Sequence, residues 1–458
     1  MSTIVAISTA PGLGGIGIIR MSGDKCFEVL NKIFKARNPQ RIEDIDGYKM
    51  KYGKILNPEN NIIVDEVLVS YFKAPKSYTS ENMCEINSHG GIIILRKILE
   101  LCLSNGAVLA EPGEFTKRAF LNGRIDLTQA EAIVDMINAK SSKEAQESAN
   151  QLEGYLSKEI NKIREKILDL MVNIEANIDY PEYDIEEISY KNAEEILEEI
   201  KENLEKLSNS FEQGKIIKEG IKISIIGSPN AGKSSLLNRI LREDRAIVTD
   251  IEGTTRDLIE EQVIIEGIPF IIIDTAGIRE TNNKIEQIGI EKSKKVAEES
   301  DVVIAVFDNS KKLDEQDKEI LNIIKNKKAI IILNKIDLKD DNSEMLTEAQ
   351  LSDKNIIKIS AKNDIGIDKI YKELIKMFNL NEIDSNNDVL ITNVRHKNLI
   401  NKAFIATQES IEELKKMEPI DIVSIKIKEI LENLGEITGD NVSEDLIKSI
   451  FSKFCLGK

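Results

Sequence analysis

Eight consecutive residues, Gly227-Ser228-Pro229-Asn230-Ala231-Gly232-Lys233-Ser234, match the phosphate-loop pattern G-x-x-x-x-G-K-[ST] at every fixed position. Two glycines let the backbone curl so that several N–H groups point inward, and a following helix adds the positive end of its dipole. Lys233 is then placed to reach the β- and γ-phosphates, and the Ser234 hydroxyl to ligate Mg²⁺. Downstream, Asp274-Thr275-Ala276-Gly277 supplies a carboxylate, Asp274, as the second metal element. Asn334-Lys335-Ile336-Asp337 supplies another, Asp337, able to accept both N1–H and the exocyclic N–H₂ of guanine, a donor pair that adenine lacks. Ser360-Ala361-Lys362 completes the series. Phosphate, metal and base chemistry in this order describe a GTP site.

Each of these motifs follows a run that reads as a strand. Ile221 to Ile226 alternates and is rich in β-branched residues, Phe270 to Ile273 and Ala329 to Leu333 are continuously apolar, and Ile356 to Ile359 precedes Ser360. After the phosphate loop, Ser235 to Leu241 reads as helix. The nucleotide domain is expected over residues 215–380.

Residues 1–121 read as a compact α+β domain. Thr3 to Ser8 is strand-like, as are Met50 to Leu56 and Val64 to Phe72, and Gly91 to Ser104 has a helical pattern. Pro11-Gly12-Leu13-Gly14-Gly15-Ile16-Gly17 contains G-x-G-x-x-G, but a dinucleotide fingerprint must open a helix, and Ile18 to Gly23 reads as a second strand. A glycine-rich hairpin or close backbone approach is the better account. Ser77-Tyr78-Thr79-Ser80-Glu81 and Glu111-Pro112-Gly113-Glu114-Phe115 are polar loops with turn chemistry.

A long helical region follows. Leu152, Leu156, Ile160, Ile163, Ile167, Leu170, Ile174 and Ile178 recur at spacings of three and four, a stripe ended by Tyr180-Pro181. Ile196, Ile200, Leu204, Leu207 and Phe211 mark another helix, and Asn398 to Met417, Ser424 to Leu434 and Asp445 to Phe454 mark three more. These stripes read as the core of a bundle that is discontinuous in sequence, in two parts (122–214 and 381–458) with the nucleotide domain inserted between them.

Composition limits what else the chain can be. A length of 458 residues calls for several domains, and 41% hydrophobic residues are ample for their cores. A net charge of −17 argues against a surface that coats nucleic acid non-specifically. Much of the excess is local: between Pro181 and Gln213 eleven Asp/Glu face three Lys, which reads as a solvated helix face. Cys26, Cys84, Cys102 and Cys455 show no C-x-x-C and no clustering with His89 or His396, against structural zinc or a disulfide framework. Both histidines read as hydrogen-bonded structural residues. The terminal Cys455-Leu456-Gly457-Lys458 is a poor prenylation signal. With no basic apolar leader and no apolar run of bilayer length, a soluble cytoplasmic protein without a membrane partner is expected.

The chain resembles the bacterial tRNA-modification GTPase MnmE (TrmE) family over its whole length. The resemblance is carried by Pro11 to Gly17, by Asn87-Ser88-His89-Gly90-Gly91, and by Pro112 to Phe115 with Arg118-Ala119-Phe120-Leu121-Asn122-Gly123. Asp250-Ile251-Glu252-Gly253-Thr254-Thr255-Arg256-Asp257 and the terminal Phe454-Cys455-Leu456-Gly457-Lys458 add to it. The GTPase motifs alone fit many G proteins; the terminal Cys-x-Gly-Lys joined to a split helical domain is specific.

The resemblance implies a multidomain α+β and α/β fold: an N-terminal folate-binding and dimerisation domain, a discontinuous helical bundle and an inserted Ras-like P-loop G domain. It implies that a tetrahydrofolate one-carbon donor (5-formyl- or 5,10-methylene-tetrahydrofolate) meets Arg20, Glu85, Arg124 and Lys458. It implies a homodimer that works with the flavoprotein MnmG, as a heterotetramer, on C5 of the wobble uridine of certain tRNAs. GTP and GDP would be held by Asn230, Ala231, Gly232, Lys233, Ser234 and Ser235, by Thr249, Asp250, Ile251, Glu252, Gly253, Thr254 and Thr255, by Asp274, Thr275, Ala276 and Gly277, and by Asn334, Lys335, Asp337, Ser360, Ala361 and Lys362. Mg²⁺ would sit on Ser234 and Thr255. Hydrolysis would depend on K⁺ held by Asn230, Thr249, Ile251 and Thr254 as two G domains pair.

One residue comparison bears on that last point. Ras-like proteins orient the attacking water with a Gln after Asp-x-x-Gly; here the position is Ile278, which cannot do so. In the family a glutamate at the position of Glu286 takes the role, and a monovalent cation replaces an arginine finger. Two other readings of the motifs stay open at this stage: a potassium-type GTPase switch in ribosome assembly, and a GTP-gated folate-binding scaffold whose chemistry lies on a partner.

Overall fold

Alternating apolar residues near the N-terminus and apolar runs near the middle of the chain generate two different sheets. In the computed structural model the described residues are 2–10, 12–38, 48–179, 190–242, 261–273, 286–338, 354–380 and 389–458. They form two compact units: residues 1–138, 148–204 and 398–458 make the first, and residues 139–147 and 205–397 the second.

The first unit contains strands β1 (Ile4–Ile7), β2 (Gly14–Ser22), β3 (Phe34–Ala36), β4 (Lys49–Leu56), β5 (Ile63–Phe72), β6 (Met83–Gly90) and β7 (Val108–Leu109). Their order is β3-β4-β5-β6-β2-β1-β7. Strands β1 and β2 are antiparallel, so the glycine-rich segment links two strands and opens no helix. Its period of two puts Val67, Val69 and Tyr71 of β5 into the core with Ile19 and Met21 of β2, beneath the helices Cys26–Ile33 and Ile92–Ser104.

Helical spacing organises the remaining helices, of which Phe211–Glu219 belongs to the second unit. Along Tyr155–Asp179 the stripe Leu156, Ile160, Ile163, Ile167, Leu170 and Ile174 is buried, and this helix packs against Ile420–Thr438. Tyr180-Pro181, the expected stop, lies outside the described residues. The next helix differs from expectation in two ways. It runs Tyr190–Asn209 and buries Leu197 where Ile196 was expected, Ile196 being half-buried. Phe211 starts a separate helix, Phe211–Glu219, because the Ser210 hydroxyl turns back to donate to the Leu207 carbonyl (2.7 Å). The last helices are Val394–Lys415, Ile420–Thr438 and Glu444–Phe451, the third capped by Ser443, which accepts from the Leu446 N–H at 3.2 Å.

The second unit holds β8 (Ile221–Gly227), β9 (Glu261–Ile265), β10 (Ile268–Ile273), β11 (Val302–Asp308), β12 (Ala329–Asn334) and β13 (Asn355–Lys358) in the order β13-β12-β11-β8-β10-β9. All neighbours pair parallel except the β9–β10 hairpin. Strand β11, which no motif marks in the sequence, is buried at every position, as a central parallel strand must be. Its alternate residues serve opposite faces: Val302, Ile304 and Val306 join one core, Val303, Ala305 and Phe307 the other. A doubly covered parallel sheet presents its loops at the carboxyl ends of the strands, which is where the motifs lie.

Candidate functional site

The phosphate loop leaves β8 at Gly227 and enters the helix Lys233–Arg242. Its turns are the reason for its residue types. Asn230 sits in the left-handed region at φ 63°, and Gly232 at φ 102°. A Cβ on Gly232 would run into the Asn334 carboxamide. That carboxamide ties the motifs together: its Nδ2 donates to the Ala231 carbonyl (2.9 Å) and its Oδ1 accepts from the Ala361 N–H (3.0 Å). With Asn334 only 3% exposed, these hydrogen bonds are shielded from water.

Lys233 Nζ donates to the carbonyls of Gly227 (2.8 Å) and Ser228 (2.9 Å), and burial pushes its ammonium below the usual lysine range. An arriving phosphate would reverse that desolvation cost. On the base side, Ser360 Oγ donates to Asp337 Oδ1 (2.6 Å), and this hydrogen bond holds the Asp337 carboxyl below the usual range. Asp337 therefore stays an acceptor at neutral pH. A cavity of about 440 Å³ lies between the two sets, lined by Gly232, Ser235, Asn334, Lys335, Asp337, Ala361 and Lys362 among others. The Arg239–Asp364 ion pair stands on the same helix face as Ser235.

Sequence reading missed one support here. Asp308, at the end of β11, forms an ion pair with Lys335 Nζ (2.6 Å) and accepts from the backbone (3.0 Å) and hydroxyl (2.7 Å) of Ser310. Burial works to raise its pKa, yet Lys335 and Ser310 outweigh it and the net direction is down. Lys335 is itself in the left-handed region (φ 67°), so Asp308 anchors a strained residue. No spacing rule pairs residues 308 and 335; only the β11–β12 register does.

Thr249, Asp250, Ile251, Glu252, Gly253, Thr254, Thr255, Asp274, Thr275, Ala276 and Gly277 lie outside the described residues. Glu286 opens the helix Glu286–Glu299, and its side chain also lies outside them. The donor set seen for a nucleotide is thus the phosphate loop, Asn334 to Asp337 and Ser360 to Lys362. It fits a guanine nucleotide: a phosphate loop with the Lys233 ammonium at one end, an ionised carboxylate at the other. Ser234, half-buried at the start of the helix, fits a Mg²⁺ ligand by chemistry.

A second cluster lies within the first unit. Arg20 on β2 and Glu85 on β6 are register partners, joined by an ion pair (Nη2–Oε1 2.8 Å) and a hydrogen bond from Nε at 2.9 Å. Arg20 Nη1 also donates to the Gly457 carbonyl (3.3 Å), which accepts from Ser8 Oγ at 3.0 Å. Gly457, at φ 90°, is needed there because a Cβ would meet the Ile7 carbonyl oxygen at 2.5 Å. Arg20 and Arg124 both stand over the ring of Tyr78, at 5.2 and 4.6 Å from its centroid. The structure thus gathers Arg20, Glu85 and Arg124 and brings the terminal tail to Arg20. It shows the Lys458 backbone N–H donating to the Cys455 carbonyl (3.4 Å). Charged and aromatic groups of this kind suit a planar, anionic ligand.

The remaining residues singled out in the sequence are accounted for locally. His89 Nδ1 is 2.7 Å from Asp65 and its side chain is 73% exposed, while His396 is fully buried. Cys26, Cys84 and Cys102 are buried, Cys455 is exposed, and all four are free thiols. Among the described residues no cluster of His, Cys, Asp or Glu could hold a metal ion, and no helix is long and apolar enough to cross a membrane.

Known proteins resemble the chain from end to end. Residues 127–455 match the MnmE helical domain, and residues 3–124 match the GTP-binding protein TrmE N-terminus. The tRNA modification GTPase MnmE of Acetivibrio thermocellus is 49% identical over 456 residues, which covers 100% of this chain and 99% of that protein. The protein of the same name from Clostridioides difficile is also 49% identical over 456 residues, with 100% and 99% covered. That of Lactiplantibacillus plantarum is 46% identical over 460 residues, with 100% and 98% covered. Identity of this size over both units leaves one assignment: the chain belongs to the tRNA modification GTPase MnmE family.

Proposed function

We propose that this chain is a potassium-activated GTPase that acts on tRNA with the flavoprotein MnmG. Together they add an aminomethyl-type (carboxymethylaminomethyl) group at C5 of the wobble uridine, using a tetrahydrofolate one-carbon donor. The observation that carries the reading is the wiring of Asn334, which locks the phosphate loop to the base-reading loops around one cavity. In this reading residues 1–121 bind folate and dimerise, 122–214 and 381–458 form the helical domain, and 215–380 bind GTP.

Lys233 and the loop N–H groups hold the phosphates, Asp337 reads guanine, and Ser234 with Thr255 holds Mg²⁺, which would supply charge neutralisation at the phosphates. Asn230, Thr249, Ile251 and Thr254 hold K⁺. Na⁺ is smaller and fits ligands spaced for K⁺ poorly. Glu286 orients the attacking water. The Arg20–Glu85 cluster supports the folate half: a carboxylate beside an arginine can accept from the 2-amino-4-oxo edge of a pterin as Asp337 does from guanine. Pairing of G domains then couples GTP turnover in the second unit to work on tRNA.

GTP turnover measured in KCl and NaCl at matched ionic strength tests the hydrolytic half. Faster turnover in K⁺ that rises with protein concentration is expected; equal rates contradict it. Nucleoside mass spectrometry of tRNA from cells lacking the gene tests the other half. Loss of the C5-modified wobble uridine is expected, and an unchanged nucleoside profile contradicts it.

A further inference from the structure

The loop Ser77-Tyr78-Thr79-Ser80-Glu81 has no part in the nucleotide site, yet its wiring exceeds what a turn requires. Ser77 Oγ donates to the Glu81 carbonyl at 2.5 Å. Thr79, fully buried, shares a hydrogen bond with Ser22 Oγ (2.7 Å), and its carbonyl accepts from Asn122 Nδ2 (2.7 Å). Glu81 accepts from Ser22 Oγ (2.8 Å) and from Arg118 Nη1 (3.0 Å), Arg118 being itself paired with Glu114 at 2.8 Å. Every anchored group flanks Tyr78, whose own hydroxyl is 2.8 Å from Thr116 Oγ1. The network fixes one aromatic ring in one orientation.

That ring carries two cations. Arg20 is neutralised by Glu85, but Arg124 has no carboxylate within salt-bridge distance among the described residues. It is exposed, yet its guanidinium lies on the ring 4.6 Å from the centroid instead of extending into water. The ring holds it there without help from a carboxylate. An aromatic face attracts a guanidinium by its quadrupole and leaves the edge N–H groups free to donate.

We propose that Tyr78 is the positioning residue of this cluster: its ring gathers Arg20 and Arg124 and sets the unpaired Arg124 to take an anionic group of the ligand. The inference rests on the folate reading above, in which the ligand joins a planar pterin to carboxylates. The Arg20–Glu85 pair offers a donor and an acceptor to the neutral heterocycle, and Arg124 offers charge to a carboxylate. Without the ring, Arg124 samples many rotamers, and the ligand must order it on binding.

Calorimetric titration of the full chain with 5-formyl-tetrahydrofolate tests this in wild type, Tyr78→Phe, Tyr78→Leu, Arg124→Met and the double variant Tyr78→Leu/Arg124→Met. Tyr78→Leu should weaken binding about tenfold and Tyr78→Phe less than about threefold, because Phe keeps the ring face. On the Arg124→Met background, Tyr78→Leu should add less than about threefold, since the cation it positions is gone. A ring that only filled space would cost the same in both backgrounds, and that additivity overturns the proposal. If Tyr78→Leu melts before titration, Tyr78→Phe decides: a loss as large as that of Arg124→Met overturns it. Wild type binding with Tyr78→Leu unchanged removes Tyr78 alone, whereas a wild type that binds no folate contradicts the folate reading and this proposal with it.

Discussion

The two candidate sites are built in opposite ways. The nucleotide site takes its groups from loops at the carboxyl ends of strands in one sheet, and each loop carries its own short motif. The Arg20 cluster takes single residues from β2, β6, the loop before β6, the helix region near residue 124 and the terminal tail. Arg20 and Gly457 are 437 positions apart in the chain. In the first, residues close together in sequence are brought together by the strand ends, and Asn334 ties the loops to one another. In the second, side chains do nearly everything, and the backbone only sets their register. A motif that is local in sequence survives being read without a structure; a cluster assembled by register does not.

The widest separation between the sites should come from Gly232→Ala. The added Cβ meets the Asn334 carboxamide at a backbone angle alanine rarely adopts, so the loop and the base-reading strand both shift. GDP affinity, followed by a fluorescent-analogue titration, should fall about a thousandfold or more, with folate binding untouched. A fall of less than about tenfold would mean that Asn334 does not couple the motifs.

Glu286→Ala sharpens the comparison in a different direction, because it should separate binding from turnover within one site. GTP affinity should stay within about twofold while kcat drops roughly a hundredfold, as expected for a group that acts mainly in the transition state. Wild-type kcat assigns the water to another residue.

In the first unit, Glu85→Gln keeps the shape of the pair but removes its charge. The cost to 5-formyl-tetrahydrofolate affinity should be about tenfold, the scale of one charge-assisted hydrogen bond, with GDP affinity unchanged. Unchanged folate affinity in a calorimetric titration would leave Arg20 as the only member of the pair that matters.

Gly457→Ala should have the smallest effect. A Cβ there meets the Ile7 carbonyl oxygen at 2.5 Å and the Ser8 Cα at 2.8 Å, so the tail must lift from β1 and withdraw its carbonyl from Arg20. A three- to fivefold loss of folate affinity is expected on the scale of one weak hydrogen bond. A gain in affinity would show that the tail shields the cluster instead of completing it.

What was legible in the sequence follows the same division. Ile221 to Ile226 and the stripe from Leu156 to Ile174 came from periods of two and 3.6, and the strands before the later nucleotide motifs from short apolar runs that end at a motif. Such periods persist because one buried face enforces them. Strand β11 escaped notice because no motif follows it, although it is as fully buried as β12, and Asp308 escaped with it. Leu197 displaced Ile196 from the core because neighbouring helical positions lie 100° apart, so two adjacent apolar residues leave the face undecided. Arg20, Glu85 and Arg124 were named only through family resemblance, and Tyr78 was seen only as part of a turn. Their meeting depends on the β2–β6 register and on two chain ends that no local pattern links.

In the proposed function each unit takes its own ligand, folate in the first and a guanine nucleotide in the second. The most direct test is calorimetric titration of 5-formyl-tetrahydrofolate into the full chain already saturated with GDP. One folate per chain, bound with the nucleotide still in place, is the predicted result. Release of GDP as folate binds, or no heat of folate binding at all, would contradict it.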